Sequence, residues 1–430
     1  MRSVVPTVFA TKHPSDTQVY KQIQQLLAKD AVGFDPARGK PDDLFTLELA
    51  LGAHGPQVVE QIAAQKQIVF HALGDSGASN AGMYKDEVAV ATQLAADCET
   101  TQGSDRPAFL FHLGDVVYDF GESQYYYDEF YDPFRNYPAP IFAIPGNHDS
   151  FVVPGTPVGS EPLTIFARNF CAEQVVITPE ARSLHRTAMT QPGVYFTLDA
   201  PFVRIIGLFS NALEDPGVIS SENGRWPTVP DIQLEYLGAQ LERIVKEKYK
   251  GAVILAVHHP PFSYSPPKGA GAGGNHGSSS DMLRQIDTIC KEQGVYPHAF
   301  LSGHAHNYQR YTRTVKGFGK DAYDVPFVVC GDGGHHVNRV VQARRGQPAQ
   351  EPLNGSRVGY LENKPAVKVG DGDTELLLEK YDDTNYGYLR VTATPDQLKI
   401  GFHQVGAASL RQSRFDLVTV QLDTHQMVAN

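Results

Sequence analysis

Short apolar runs that end in polar residues recur along this chain from residue 67 onward. Residues 68–73 and 109–113 each have the length and composition of a buried strand, and each is followed by a Gly-Asp pair. Between them, residues 86–98 repeat apolar positions at helical spacing. This alternation of strands and helices predicts an α/β domain. Further strands are predicted at residues 141–144, 253–257 and 299–301, a hairpin at 194–198 and 203–208, and a helix at 232–247.

The two ends of the chain have different patterns. Val19, Ile23 and Leu27 share one face of a predicted helix, so residues 1–66 are interpreted as an N-terminal helical extension. We expect it to cover the main domain, residues 67–430, without contributing chemistry. The C-terminal part is β-rich, with strands predicted at 325–329, 386–392, 398–403 and 416–422, and with Gly-rich or polar loops at 265–280 and 344–373.

Composition limits the function more than the fold. Of 430 residues, 41% are hydrophobic and 20% are charged, which argues against wholesale disorder. The formal net charge is −11, so no unaided binding to nucleic acid or to an anionic membrane is expected. The same charge opposes capture of a phosphate anion, and a phosphate site would need local positive charge such as bound metal ions.

The four cysteines and the N-terminal residues indicate the cellular setting. Cys98, Cys171, Cys290 and Cys330 have no CxxC spacing, so free and mostly buried thiols are favoured over a zinc knuckle or a disulfide framework. The N-terminus lacks the uninterrupted apolar core of a secretory signal, and no apolar run reaches transmembrane length. We therefore expect a cytoplasmic protein without membrane association. The oligomeric state cannot be read from the sequence.

Five short segments place oxygen or nitrogen donors directly after predicted strands. They are residues 74–77 (GDSG), 114–118 (GDVVY), 146–149 (GNHD), 258–260 (HHP) and 303–306 (GHAH). In α/β folds such donors gather at the carboxyl ends of the strands. Two cations a few ångströms apart repel each other unless they share a ligand, and Asp115 is the natural bridging carboxylate. The five segments together therefore favour a dinuclear metal site.

In this order, the five segments resemble those of the calcineurin-like metallophosphoesterases, over roughly half of the chain. Gly77 and Tyr118 make the chain most similar to the purple acid phosphatase branch. The resemblance implies a four-layer αββα sandwich of two mixed β-sheets flanked by helices. Most other branches carry Asp-x-His in the first segment, and that histidine ligand is missing here. Tyr118 would replace it with a phenolate, which favours Fe(III).

The resemblance also implies a role for each donor. The second ion would be Fe(II), Zn or Mn. His148 would act on the phosphate rather than on a metal, stabilising the transition state or protonating the leaving oxygen, and Asn147 and His259 could also contact substrate. The implied ligands of the first metal are Asp75, Asp115, Tyr118 and His306, and those of the second are Asp115, Asn147, His258 and His304.

The function that follows is hydrolysis of a small phosphomonoester by in-line attack of a metal-bound hydroxide. A phosphodiesterase or nucleotidase on the same scaffold is the alternative within the enzyme class, and a non-catalytic metal-binding scaffold is the alternative outside it. No Ser/His/Asp elbow or P-loop competes for the role. The physiological substrate is not readable from the sequence.

Taken singly, these residues have ordinary structural interpretations. Asp75 could cap a helix and Tyr118 could be a packed aromatic residue, and only the joint pattern overrides this. Asp149 is expected to form hydrogen bonds within its segment. His71 and His112 are interpreted as core histidines. His335 and His336 could border the pocket or form a plain turn. Asn211, Tyr308 and Arg310 could lie at the edge of the site or serve only in packing.

Overall fold

The computed structural model describes residues 16–30, 44–150, 163–264, 276, 279–319, 322–340, 356–357, 375–406 and 409–428. The α-helices within these ranges are α1 Asp16–Leu27, α2 Leu47–Ala50, α3 Gly55–Gln65, α4 Ala81–Thr100, α5 Thr164–Phe170, α6 Ile232–Glu247, α7 Ser280–Gln293 and α8 Leu410–Ser413. The strands are β1 Leu44–Thr46, β2 Ile68–Leu73, β3 Pro107–His112, β4 Ile141–Ala143, β5 Phe196–Ala200, β6 Val203–Leu208, β7 Ala252–Val257, β8 Ala299–Ser302, β9 Tyr308–Val315, β10 Tyr323–Cys330, β11 Ser356–Arg357, β12 Glu375–Asp382, β13 Gly387–Ala393, β14 Gln397–Gln404, β15 Arg414–Gln421 and β16 Gln426–Val428.

The strands described here form two mixed sheets. One has nine strands in the order β1-β5-β6-β7-β8-β10-β9-β12-β11, and its central strands β6, β7, β8 and β10 are parallel. The other has seven strands in the order β16-β15-β14-β13-β2-β3-β4. In it β2, β3 and β4 are parallel, and β13 pairs antiparallel with β2. Parallel strands bring the donor-bearing segments of each sheet to one edge.

The inner faces of the two sheets pack against each other. Phe111 on β3 stacks on Phe196 on β5, with ring centroids 5.9 Å apart. At Gly207 on β6, an added Cβ would lie 2.7 Å from a methyl group of Ile144, so the sheets approach closely only because this residue has no side chain. Helices α4 and α6 pack on the outer faces through buried apolar residues. The predicted α/β sandwich of two mixed sheets flanked by helices is thereby confirmed.

Most predicted elements are present, including the hairpin of β5 and β6. Strand β9 was not predicted, because its sequence is rich in polar residues. Those residues are buried in ion pairs: Arg310 with Asp416 at 2.6 Å and Arg313 with Asp287 at 2.7 Å. The N-terminal segment contains helices α1 and α3 as expected, but also strand β1, which pairs with β5. The domain boundary at residue 66 stays a prediction, and the predicted loops at 265–280 and 344–373 lie mostly outside the described residues.

Several side chains that the sequence left open belong to the core. The four cysteines, which all lie within the described residues, form no disulfide, and three of them are buried. His71 is buried and contacts Asp97 at 2.7 Å and Tyr137 at 3.1 Å, while buried His112 contacts Ser76 at 2.9 Å. Both are therefore core histidines. Among the described helices, none has the length and apolar character needed to cross a bilayer.

Asp97 joins α4 to the seven-stranded sheet. Its Oδ2 accepts hydrogen bonds from His71 on β2 at 2.7 Å and from Arg390 on β13 at 3.0 Å. Burial opposes ionisation, but these two partners hold the pKa of Asp97 below its ordinary value of 3.8. Because its pKa is lower folded than unfolded, the ionised carboxylate stabilises the fold above the unfolded pKa, and this stability is lost as the pH falls through the folded pKa.

We predict that Asp97→Asn lowers the free energy of unfolding by about 3 kcal/mol at pH 7, because it breaks a buried charge pair. Chemical denaturation measures this loss, which should shrink as the pH approaches the pKa of Asp97. Asp105→Asn is the control, since Asp105 is an exposed partner of the same arginine. It should cost about 0.5 kcal/mol or less. Equal losses in the two variants would contradict the assignment.

Candidate metal centre

The five donor segments follow five strands that belong to both sheets. Asp75, Asp115 and Asn147 come after β2, β3 and β4, and His258 and His304 come after β7 and β8. Backbone hydrogen bonds tie the segments together within each sheet: Asp75 N–H donates to Gly114 O at 2.9 Å, and Gly303 N–H donates to His258 O at 3.0 Å. The C-terminal ends of strands from both sheets therefore lie at the same site.

The backbone at these strand ends is turned sharply. Asp75, Asp115 and His304 have φ of 57°, 55° and 67°, a left-handed conformation that costs a non-glycine residue roughly 1–2 kcal/mol. Neighbouring glycines leave room for the turned side chains. An added Cβ at Gly146 would lie 2.1 Å from Asp115 Oδ1, and one at Gly303 would lie 2.5 Å from Asp75 Oδ2. The left-handed backbone at these three residues directs their carboxylates and imidazole toward one another.

One group of donors surrounds the hydroxyl of Tyr118. That oxygen lies 3.2 Å from Asp75 Oδ1, 3.0 Å from Asp115 Oδ2 and 3.3 Å from His306 Nε2. All four side chains are buried. Burial, together with Asp115 and Asp75, raises the pKa of the Tyr118 hydroxyl well above its ordinary value. A phenolate at this position therefore requires a cation beside it.

A second group of donors surrounds Asn147 Oδ1. His258 Nε2 and His304 Nδ1 each lie 3.1 Å from it. His258 Nε2 is also 3.2 Å from Asp115 Oδ2, which is the same oxygen that contacts Tyr118. Asp115, His258 and His304 thus form a group whose donor atoms lie within 4.8 Å of one another. One carboxylate oxygen of Asp115 is shared by the two groups.

The hydrogen bonds of the histidines fit a metal rather than a protein partner. His258 Nδ1 donates to Leu113 O at 2.8 Å, and His304 Nε2 donates to Glu214 O at 2.6 Å. With a metal bound both rings would be neutral, and the other nitrogen of each would direct a lone pair toward Asn147 Oδ1, which is itself an acceptor. Converging lone pairs without a hydrogen between them are stabilised by a cation, and backbone carbonyls commonly orient metal-binding imidazoles in this way.

The electrostatics of the site favour displacement of protons by metal. Burial raises the pKa of Asp75, and neighbouring Asp115 raises it further. Burial also opposes ionisation of Asp115, but His258 and His148 hold its pKa below the ordinary value. Burial alone would lower the pKa of His258, yet Asp115 and Asp75 raise it to about 9. Without a metal, His258 is therefore protonated at neutral pH, and a bound cation would replace its proton.

His148 and Asp149 lie beside the donors without joining either group. The backbone N–H of His148 donates to Asp115 Oδ1 at 2.9 Å, its Nδ1 donates to Asp119 O at 2.8 Å, and its ring lies 4.2 Å from that of Tyr118. Asp149 accepts backbone N–H groups at 2.9–3.1 Å, as expected for a residue that holds its own segment together. The donors to Asp149 are Val116, Val117 and Gly146.

Both ring nitrogens of His259 form hydrogen bonds within the protein. Its Nδ1 lies 2.7 Å from the Ser210 hydroxyl and its Nε2 donates to Leu213 O at 2.5 Å. The ring therefore buttresses His304, with ring centroids 4.2 Å apart, and has no nitrogen left for substrate. Buried Asn211, with a φ of 72°, follows Ser210 in the same loop.

Other polar residues that the sequence left open are also placed. Tyr308 and Arg310 both bond Asp416, at 2.8 and 2.6 Å, so they pack between the sheets rather than at the donors. His336 Nε2 lies 3.1 Å from His306 Nδ1, and His335 stacks on Tyr118. The loop after β10 therefore borders the site.

The sequence did not predict two residues that support the second donor group from behind, His276 and Gln24. His276 lies in a loop whose neighbours give no motif, yet its ring is 4.1 Å from that of His304 and its Nδ1 is 3.1 Å from Glu214 Oε1. Gln24 on α1 pairs with the loop that carries Glu214: its Oε1 accepts Glu214 N–H at 2.9 Å, and its Nε2 donates to Ala212 O at 3.0 Å. No local pattern could show contacts across such sequence distances.

A two-sheet α/β sandwich with buried Asp, Asn, Tyr and His donors at its strand ends has the form of a metal-dependent hydrolase. A family model described as calcineurin-like phosphoesterase matches residues 69–308, more than half of the chain. The chain therefore belongs to the calcineurin-like phosphoesterase family. No curated protein sequence matches it significantly.

Three solved structures are similar to the chain at low identity. GAP50, the anchor in the inner membrane complex of Plasmodium, is 10% identical with a TM-score of 0.48, over 83% of this chain and 88% of its own. PhoD is 13% identical with a TM-score of 0.46, over 84% and 71%. A predicted phosphoesterase from Streptococcus pneumoniae is 9% identical with a TM-score of 0.28, over 83% and 98%. These likenesses are too distant to transfer an activity.

We predict that Gly146→Ala removes metal from the site, because the new Cβ would displace the carboxylate of Asp115. Elemental analysis of the purified variant measures this loss. Gly238→Ala on α6 is the matched control, since its added Cβ would meet only a methyl group of Ile289 at 3.7 Å. The control should keep full metal content and gain slightly in stability. Unchanged metal content in Gly146→Ala would contradict the geometry described above.

Proposed function

We propose that the chain is a dinuclear-metal phosphoesterase that hydrolyses phosphomonoesters and resembles the purple acid phosphatases. The observation that carries the proposal is the position of Asp115 Oδ2. It lies 3.0 Å from the Tyr118 hydroxyl and 3.2 Å from His258 Nε2, so a single oxygen faces both donor groups. A shared carboxylate is what two adjacent cations need in order to coexist.

The two donor groups suit different ions. Asp75, Asp115 and Tyr118 supply anionic oxygens and His306 supplies one nitrogen, a set that favours Fe(III). Asn147 supplies a neutral oxygen, and with Asp115 and the imidazoles of His258 and His304 it suits a divalent ion such as Fe(II), Zn or Mn. When bound, the pair of ions would neutralise the phosphate and activate the attacking water.

His148 is the proposed catalytic residue of the protein itself. Its Nδ1–H donates to Asp119 O, which fixes the tautomer and assigns proton exchange to Nε2. Its backbone N–H on Asp115 Oδ1 holds it at the edge of the metal pair. We assign to Nε2 the transfer of a proton to the leaving oxygen, and to Asn147, the preceding residue, a contact with the bound phosphate.

A phosphodiesterase or nucleotidase would use the same donors. Comparing turnover of an aryl phosphate with that of its bis-aryl diester separates these activities. The monoester proposal requires the aryl phosphate to be the better substrate, and a preference for the diester would replace it. A chain that holds two metals but turns over neither ester would be the non-catalytic scaffold.

We predict that Asp115→Asn lowers turnover by more than about 100-fold and empties both metal positions, because it removes the shared negative ligand. Aryl phosphate hydrolysis and elemental analysis are measured on the same preparation. Asp105→Asn, which changes an exposed aspartate, serves as the control and should alter neither. Normal metal content with normal turnover in Asp115→Asn would refute the dinuclear assignment.

His148→Ala should behave differently from the ligand variants. We expect turnover to fall about 10²–10⁴-fold while two metals per chain are retained, because a proton donor is lost rather than a ligand. The loss should be smallest for esters with acidic leaving groups, which need no protonation. Parallel loss of metal and turnover would instead identify His148 as a ligand.

A further inference from the structure

Position 77 cannot carry the histidine that most relatives have in the first segment. An added Cβ at Gly77 would lie 2.5 Å from Val116 O and 3.1 Å from Glu129 Oε2. The first of these neighbours is backbone and cannot move aside cheaply. The missing ligand is therefore excluded by packing, and any second imidazole for the first metal must come from another part of the chain.

His335 lies directly on this first segment. Its backbone N–H donates to Asp75 O at 3.0 Å, and its ring Nδ1 donates to Gly77 O at 2.7 Å. These two hydrogen bonds span the position at which the missing side chain would begin. Because Nδ1 carries the hydrogen, Nε2 carries the lone pair of the ring.

The loop that carries His335 reaches the site because three of its residues are glycines. An added Cβ at Gly331 would lie 2.8 Å from Asp75 Oδ2, and one at Gly333 would lie 2.3 Å from Gly74 O. Gly334 has a φ of 148°, and an added Cβ there would lie 2.7 Å from Glu87 Cα. The GDGG sequence is thus required for close approach, and it delivers the histidine that follows it.

The ring of His335 contacts two members of the first donor group, Tyr118 and His306. It stacks on Tyr118 with centroids 3.7 Å apart and planes 9° apart, and its centroid is 5.2 Å from that of His306. His306, His335 and His336 each offer a nitrogen within 4.8 Å of the other two. The His335 side chain is buried beside Tyr118 and His306.

We propose that His335 is a ligand of the first metal through Nε2 and replaces, from a separate loop, the histidine that Gly77 excludes. This inference rests on the proposed dinuclear site. The first metal would then bind two imidazoles in addition to Asp75, Asp115 and Tyr118. His336 has a different role. Its Nε2 lies 3.1 Å from His306 Nδ1, so it positions His306.

The test titrates the metal-free protein with Zn²⁺ and counts bound metal per chain. For His335→Gly we expect one of the two sites to weaken by about 10–100-fold, so that the count falls from two to one at a free Zn²⁺ concentration that just fills both wild-type sites. His298→Gly is the control, because His298 is equally buried but bonds only the backbone of Val253 and Leu422. It should keep two metals per folded chain.

Free imidazole distinguishes a ligand from a packing residue. Imidazole that enters the space left in His335→Gly should restore the second equivalent of Zn²⁺, whereas pyrrole, which has the same size but no lone pair for a metal, should not. Equal rescue by both, or equal weakening of both sites, would overturn the ligand role. Two tight sites in His335→Gly would overturn this inference alone, and a wild-type chain that binds no Zn²⁺ would overturn the dinuclear site as well.

Discussion

The carboxylate of Asp149 is the interaction on which the geometry of the centre depends. It accepts backbone N–H groups from Val116, Val117 and Gly146, so it joins the loop after β3 to the loop after β4. The loop after β3 carries the carboxylate of Asp115, and the loop after β4 carries the amide oxygen of Asn147 and the proposed catalytic residue His148. A single buried carboxyl group thus sets the separation between segments that the chain places more than thirty residues apart.

This arrangement also explains how an acidic protein can handle an acidic ligand. The chain has a net charge of −11, and the candidate centre itself contains buried carboxylates. Without metal, those groups keep protons or pair with His258, whose pKa they raise to about 9. In the proposed centre, the positive charge that attracts phosphate would come from the metal ions rather than from lysine or arginine. The negatively charged donors would favour binding of those ions.

The sequence predicted those parts of the fold and site that depend on local order. Apolar runs followed by Asp, Asn or His predicted β2, β3, β4, β7 and β8 and the side chains at their ends, because a strand and the residue after it are adjacent in both sequence and space. Gly77 and Tyr118 could likewise be compared with a known motif position by position.

The parts that could not be predicted depend on distant contacts. Strand β9 has the composition of a surface strand, and only its partners Asp287 and Asp416 make burial of its arginines possible. His335 follows a Gly-rich stretch that is equally typical of a plain turn, and its closeness to Asp75 follows from backbone hydrogen bonds between the loop after β10 and the loop after β2. Gln24 forms hydrogen bonds with a loop that lies nearly two hundred residues further along the chain. The spacing of apolar residues along the chain carries no information about contacts between segments that are distant in the sequence.

The place of β13 in the seven-stranded sheet has a consequence for biosynthesis. The strand that leads to Asp75 is flanked on one side by β3 and on the other by β13, whose Leu389 is in register with Ala72. While the polypeptide is still emerging from the ribosome, β2 consequently keeps one unpaired edge until β13 has been synthesised. All the donor segments, from residue 74 to residue 306, would therefore leave the ribosome before the strand that leads to Asp75 has both of its neighbours.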